Sequence, residues 1–277
     1  MVSLLGYYTK NTVFNSKGDF TTAPEISTIY SEMIALFIVN HWQTIGISNQ
    51  ILNLIEFGPG RGTLMKNIIK TVEQVLPLKD LHLTLIEVSE KLRDQQFNQL
   101  NDLFLSFDIL LEKAMQDDLE TLYNEKLNIK ITWYNSVESY MSHIKVSGME
   151  KGSFMLCHEF LDALPCHKFI YKGKSWREKL IDLQKSRLSL ENDFSCSNKT
   201  FDVILSEPET RNVKSILKPE HRFNGKYDIP ESTEIEVNPY IEDFIGTMCP
   251  IIRSSEASML IVDYGVEGRF TDSLFVN

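Results

Sequence analysis

Several things are missing from this sequence, and each absence removes a class of function. No stretch approaches the roughly 18 uninterrupted apolar residues that a membrane-crossing helix requires. The most apolar helical stretch, Ile26 to Trp42, is broken by Ser31, Glu32 and Asn40. Basic residues are outnumbered: 28 Lys and Arg stand against 38 Asp and Glu, a formal charge of −10. That balance argues against a nucleic-acid binder that draws its affinity from neutralising phosphates. It is compatible with a cationic partner and equally with an ordinary acidic enzyme. The four cysteines, Cys157, Cys166, Cys196 and Cys249, form no Cys-x-x-Cys pair and no zinc spacing, so they read as reduced thiols. Six histidines include no His-x-x-x-His, and no metal site is expected. The amino terminus, Met1-Val2-Ser3-Leu4-Leu5, resembles neither a signal peptide nor an arginine-rich transit peptide, which argues against secretion. Internal repeats and low-complexity tracts are lacking as well.

What the sequence does have is alternation. With 277 residues, 43% of them hydrophobic, the chain can bury a substantial core as one large domain or one domain with an insertion. Thr22-Ala23-Pro24-Glu25 has the pattern of a helix start, with a threonine cap, proline in the first turn and a glutamate reaching back. Ile26, Ile29, Tyr30, Met33, Ile34, Phe37 and Ile38 then recur at helical spacing and predict one buried face. Ile51 to Phe57 reads as a buried strand, and Thr63 to Leu76 as a helix stopped by Pro77. Leu81 to Val88, Ile129 to Trp133, Phe154 to Cys157 and the run from Met259 read as further strands. Ser89 is placed to cap a helix to about Leu100, and Asn101 to Lys126 reads as helical. Strand–helix–strand alternation predicts a doubly wound parallel sheet with right-handed crossovers. Between Leu164 and Val237 the pattern shifts to short alternating pieces, such as His167 to Tyr171 and Trp176 to Leu183, which predict antiparallel strands. Residues 1–164 are thus expected to form an α/β cofactor domain and 165–237 an inserted antiparallel arm. Residues 238–277 are expected to return to the first domain.

Between the first strand and its helix lies Glu56-Phe57-Gly58-Pro59-Gly60-Arg61-Gly62. Ligands of open α/β sheets bind at the carboxyl ends of strands, where glycines let backbone approach the ligand. A dinucleotide fingerprint needs Gly-x-Gly-x-x-Gly, so that the pyrophosphate sits on the helix amino terminus. Here the spacing is Gly-x-Gly-x-Gly, with Thr63 at the third dinucleotide glycine. Glu56 beside the turn would repel a pyrophosphate and attract an ammonium. The combination favours S-adenosylmethionine, which carries an α-ammonium and a sulfonium, over NAD. Glu87, at the end of the second strand, suits both ribose hydroxyls, a device that NAD enzymes share.

Six segments together resemble one family. They are Gly18-Asp19-Phe20-Thr21-Thr22-Ala23-Pro24-Glu25-Ile26-Ser27, the Glu56 to Leu64 turn, Ile86-Glu87-Val88-Ser89, His158-Glu159-Phe160-Leu161-Asp162-Ala163-Leu164-Pro165, Trp176-Arg177-Glu178 and Val262-Asp263-Tyr264-Gly265. In this order they are similar to the MidA-like S-adenosylmethionine-dependent methyltransferases. The resemblance implies a class I, Rossmann-like methyltransferase fold and mitochondrial protein arginine methylation. Its implied partner is the 49-kDa (subunit 2) core protein of complex I, symmetrically dimethylated in support of complex I assembly. It implies that Asp19, Thr21, Thr22 and Glu25 line the cofactor mouth, although the capping pattern alone accounts for Thr22 and Glu25. Glu56, Gly58, Pro59, Gly60, Gly62 and Glu87 complete the expected cofactor site. Two departures stand out: His158 replaces the family's asparagine, and only five of a class I sheet's seven strands can be placed. The chain therefore reads as a class I fold truncated at both ends.

Methyl transfer from a sulfonium is a direct displacement, governed by alignment of nucleophile, methyl carbon and sulfur. A guanidinium has a pKa near 13, so its full deprotonation at pH 7 costs roughly 8 kcal/mol. A carboxylate that grips it by two hydrogen bonds can orient it and accept its proton as transfer proceeds. Glu159 and Asp162 follow the fourth strand and are the catalytic candidates, Glu159 as clamp and proton acceptor with Asp162 in support. Asp162 could instead cap a helical turn before Pro165. His158 is either a general base or a structural histidine, and Trp133 either an adenine platform or core. Two other functions remain open at this point: an NAD-type oxidoreductase and a non-catalytic assembly protein with a vestigial cofactor cleft.

Overall fold

The computed structural model describes residues 22–44, 51–116, 119–183, 201–223 and 229–263. They fall into two compact units, one holding the described residues between 22 and 161 with 247–263 and the other those between 162 and 246.

The first unit is built on a seven-stranded sheet. Its strands are β1 (Leu52–Phe57), β2 (Leu81–Ile86), β3 (Glu112–Gln116), β4 (Leu119–Asn124), β5 (Ile129–Tyr134), β6 (Phe154–His158) and β11 (Ser258–Val262), in the order β11-β6-β1-β2-β5-β4-β3. The five strands from β11 to β5 run parallel. The chain builds outward from β1 through β2 to β5, then returns to the other side of β1 for β6 and β11. The strand order therefore reverses between β1 and β6, where open α/β sheets hold their ligands. Every residue of β1 is buried, as expected of a central parallel strand covered on both faces. Its one amide, Asn53, donates from Nδ2 to Ser153 Oγ at 2.8 Å. Helix α3 (Thr63–Val75) packs Leu64, Met65, Ile68, Ile69 and Val72 into the same core as Leu54 and Leu83. Each such side chain contributes about 1.5–3 kcal/mol by leaving water.

Three local expectations fail. Asn101 to Lys126 is not one helix: α4 (Glu90–Leu105) ends early, and β3 and β4 form an antiparallel pair that extends the sheet beyond β5. The edge of β5 offers backbone partners that a solvent-exposed helix cannot match. The strand alternation buries Thr121 against Thr132, with hydroxyls 3.5 Å apart. These two strands bring the described sheet to seven. Second, the Thr22 start gives only a four-residue helix, α1 (Ala23–Ile26), before Ser27 turns extended and α2 (Thr28–Thr44) begins. Thr22 makes no side-chain cap bond. Third, α2 buries Ser31, Ala35, Ile38 and Val39, whereas Ile26, Ile29, Met33 and Phe37 of the predicted face are 50–73% exposed. A helix with apolar residues on most sides has no face that spacing alone can identify.

The second unit holds a four-stranded antiparallel sheet of β7 (His167–Lys172), β8 (Ser175–Leu183), β9 (Phe201–Leu205) and β10 (Glu234–Val237), in the order β10-β7-β8-β9. Phe169, Trp176, Val213, Leu217 and Val237 form its core, and the Trp176 ring stacks on Phe223 at 5.3 Å. The Trp-Arg-Glu segment is structural here. Arg177 donates to Ser206 O at 3.0 Å, and buried Glu178 accepts from His167 Nδ1 at 2.6 Å and Asn212 Nδ2 at 2.8 Å.

Candidate cofactor and methyl-transfer site

Gly58, Gly60 and Gly62 all take left-handed backbone conformations, with φ of 65°, 55° and 84°. Gly58 N–H donates to Ile86 O at 2.9 Å, tying the turn to the end of β2. At two of these positions glycine is also required by space. A Cβ on Gly58 would stand 2.9 Å from the Phe160 ring, and one on Gly62 would stand 3.1 Å from Gln96 Cγ. Pro59 is buried between them. The turn presents bare backbone on the ligand side, where α3 begins with its N–H groups unpaired by the helix itself.

Glu56 is 2% exposed within β1, and its Oε2 finds no hydrogen-bond donor among the described residues. Burial, and then the charge of Glu87, push its pKa up to about 8. Glu87 lies just past β2 and is 6% exposed. Burial raises its pKa to about 7, opposed by hydrogen bonds from the Ser89, Gly60 and Val88 N–H groups and by the Arg93 charge. The Ser89 bond is 2.9 Å long, so the Glu87 carboxylate, and not the Ser89 hydroxyl, satisfies the start of α4. Arg93 also donates to the Glu87 carbonyl at 2.8 Å. A buried carboxylate oxygen with no donor, as at Glu56, is costly, and a cationic ligand offsets that cost. This donor set fits S-adenosylmethionine: an orphaned carboxylate for its ammonium, a second acid for its ribose, and bare backbone between. It does not fit a pyrophosphate.

Across the switch point, β6 ends at His158 and the next residue, Glu159, has a φ of 48°. A non-glycine residue in the left-handed region stores strain, and such strain gathers at functional sites. The Glu159 N–H donates to Val262 O at 2.8 Å, which holds it there. His158 Nε2 lies 3.7 Å from Glu159 Oε1, and the Tyr30 ring meets the imidazole edge-on at 5.2 Å. Burial pushes the His158 pKa down, against the pull of Asp263. The Tyr30 phenol is raised by burial and then by Glu159. Cys157, one residue before, is pushed up to about 12 by burial and is an inert core thiol.

Asp162 is exposed and opens the second unit. No helix forms between Glu159 and His167, and Asp162 lies in a turn there. Asp19 lies outside the described residues, as do Thr21, Tyr264 and Gly265. Glu25, read from sequence as half of a capping box, instead pairs with Arg61 of the glycine turn at 3.6 Å. Trp133 is 3% exposed and belongs to the core. Sequence reasoning missed the Glu25–Arg61 pair and the Gln96 amide, since neither belongs to a recognisable motif. Among the described residues, no helix is long and apolar enough to cross a membrane, and no His, Cys, Asp and Glu group could hold a metal.

Comparison with known proteins agrees with this geometry. The chain is 31% identical over 277 residues to the protein named "Protein arginine methyltransferase NDUFAF7, mitochondrial" from Danio rerio, covering 98% of this chain and 57% of that one. The protein of the same name from Homo sapiens is 31% identical over 272 residues, covering 97% of this chain and 54% of its own. The chain thus spans just over half the length of these relatives. A COG1565 superfamily protein from Burkholderia thailandensis, crystallised with S-adenosyl-homocysteine, shares the fold with a TM-score of 0.58 at 16% identity. That match covers 90% of this chain and 50% of that one. Residues 33–276 match the family described as "Putative S-adenosyl-L-methionine-dependent methyltransferase". The match takes in most of the chain, and the chain belongs to this S-adenosyl-L-methionine-dependent methyltransferase family.

Proposed function

We propose that this chain is the cofactor-binding part of a mitochondrial protein arginine N-methyltransferase. The observation that carries the cofactor reading is the buried, unpartnered Glu56 Oε2 beside a glycine turn of the wrong spacing for a dinucleotide. The arginine specificity and mitochondrial location rest on the names of relatives at about 30% identity. The finer reading, symmetric dimethylation of an arginine of the 49-kDa core subunit 2 of complex I in support of its assembly, rests on the resemblance of the six sequence segments alone.

S-adenosylmethionine supplies an electrophilic methyl group on a sulfonium. In this reading Glu56 holds the ammonium, Glu87 the ribose hydroxyls, and Gly58, Pro59, Gly60 and Gly62 the backbone path between, with Asp19 closing the mouth. Glu159 would grip the substrate guanidinium and accept, at a carboxylate oxygen, the proton its nitrogen loses on methylation, the sulfonium sulfur keeping the electrons of its broken methyl bond and leaving as a neutral thioether. Asp162 supports that grip, and neutral His158 packs beside the clamp. The antiparallel unit serves as the substrate arm.

The test is mass spectrometry of the purified 49-kDa subunit and of its arginine-to-lysine variants after incubation with isotope-labelled S-adenosylmethionine, using a full-length protein that contains this chain. The reading predicts a labelled mono- and then symmetrically dimethylated arginine. Label on lysine, on a carboxylate or on no residue would refute the arginine assignment.

A further inference from the structure

We infer that Gln96 is a positioning residue for the cofactor turn, setting the affinity for S-adenosylmethionine without touching it. The inference rests on reading the turn as a cofactor site. Gln96 is a fully buried amide on α4, a helix whose exposed surface is polar. Its Nε2 donates to Gly60 O at 2.6 Å, and its Oε1 accepts from Trp133 Nε1 at 3.0 Å. Trp133 sits 3% exposed on β5, so the amide is oriented from deep in the core and cannot swap its ends without losing both bonds. Its Cγ fills the space that a side chain on Gly62 would need.

The two peptide groups that flank the Gly60 Cα are therefore each held from outside the turn. Glu87 takes the Gly60 N–H and Gln96 supplies a donor to the Gly60 carbonyl. Glycine gives a turn the conformations it needs but also leaves it many others. A turn ordered before the ligand arrives loses less entropy on binding, and that difference appears as affinity. The chain of contact from Trp133 through Gln96 to Gly60 supplies this order, because the indole itself is fixed by the sheet and by Phe97 at 5.7 Å. A group that acts this way changes the dissociation constant of the cofactor and leaves the methyl-transfer rate at saturating cofactor alone.

The experiment measures S-adenosylhomocysteine binding by calorimetry, with thermal melting, for the wild type, Gln96→Leu, Gln96→Glu and Trp133→Phe. Each variant is compared with the wild type at the same pH. Gln96→Leu is expected to weaken binding by about tenfold or more, and Trp133→Phe by less. Gln96→Glu is the decisive variant. Its ionised carboxylate faces the Gly60 carbonyl and weakens binding at about pH 8, whereas its protonated form again offers one donor and one acceptor. Relative affinity should thus recover as the pH falls toward about 5. This comparison within one variant holds even if Gln96→Leu does not fold. Lowered melting temperatures with wild-type affinity at every pH would reduce Gln96 to a core amide and overturn the inference. A wild type that binds no S-adenosylhomocysteine would instead overturn the cofactor reading itself, and this inference with it.

Discussion

Glu56 and Glu178 are both nearly buried, at 2% and 5% exposure, yet their surroundings differ in kind. Glu178, in the antiparallel sheet, receives His167 and Asn212 side chains, and its own N–H donates to Ser206 Oγ at 2.9 Å. Glu56, in the parallel sheet, has one oxygen without a donor among the described residues and a second buried acid, Glu87, as its electrostatic neighbour. The first arrangement is complete and holds strands together. The second leaves polar capacity open, which is what is expected of a binding site rather than of a structural ion network. The turn after β1 and the residue after β6 are in left-handed conformations, at Gly58, Gly60, Gly62 and Glu159, where ligand and substrate would meet.

Several substitutions would break or sharpen this comparison. Glu159→Gln should have the largest effect, lowering turnover about 10²- to 10⁴-fold while S-adenosylmethionine affinity is retained. Steady-state kinetics with calorimetry separates the two, and undiminished turnover would remove Glu159 from the chemistry. Glu56→Gln comes next. It should weaken S-adenosylmethionine binding about 10- to 100-fold, the loss of a charge-assisted contact of about 1.5–3 kcal/mol.

Glu56→Gln should also change how stability depends on pH. The folded pKa values of Glu56 and Glu87, about 8 and about 7, lie above the ordinary 4.5. The native state therefore holds protons that the unfolded chain has released, and stability falls as pH rises from about 4.5 to about 8. The substituted amide stays neutral throughout, so melting curves of the ligand-free variant should flatten across that window. A wild type whose melting temperature rises over the same range would contradict the burial of these acids. The smallest effect should come from Glu178→Ala, which strands the His167 and Asn212 donors at a cost of about 1–3 kcal/mol in stability. It should leave S-adenosylmethionine affinity untouched, and a loss of affinity there would erase the distinction between the two acids.

How much of this was legible in sequence depended on whether a feature had local spacing. The glycine turn and its flanking Glu56 and Glu87 could be read because conformation and charge are fixed by residue type at short range. The core parallel strands could be read because strands buried on both faces are continuous apolar runs. The β3–β4 pair could not, since Glu112–Gln116 carries charges on both sides and forms a strand only because a sheet edge is available. Nor could the buried face of α2, whose apolar residues nearly encircle it and whose packing was chosen by the sheet. Glu25 was misassigned because a short-range cap and a long-range partner, Arg61, compete for the same carboxylate. Gln96 left no trace at all, since a single amide in a polar helix acquires meaning only when folding brings Gly60 and Trp133 to it.

The central claim is that two buried acids, Glu56 and Glu87, and a Gly-x-Gly-x-Gly turn select S-adenosylmethionine over a dinucleotide. Calorimetric titration of the same protein sample with S-adenosylmethionine and with NADH tests it most directly. The account predicts saturable binding of S-adenosylmethionine that strengthens as pH rises toward about 7.5, as Glu56 gives up its proton, and no binding of NADH. Binding of NADH without binding of S-adenosylmethionine would contradict it.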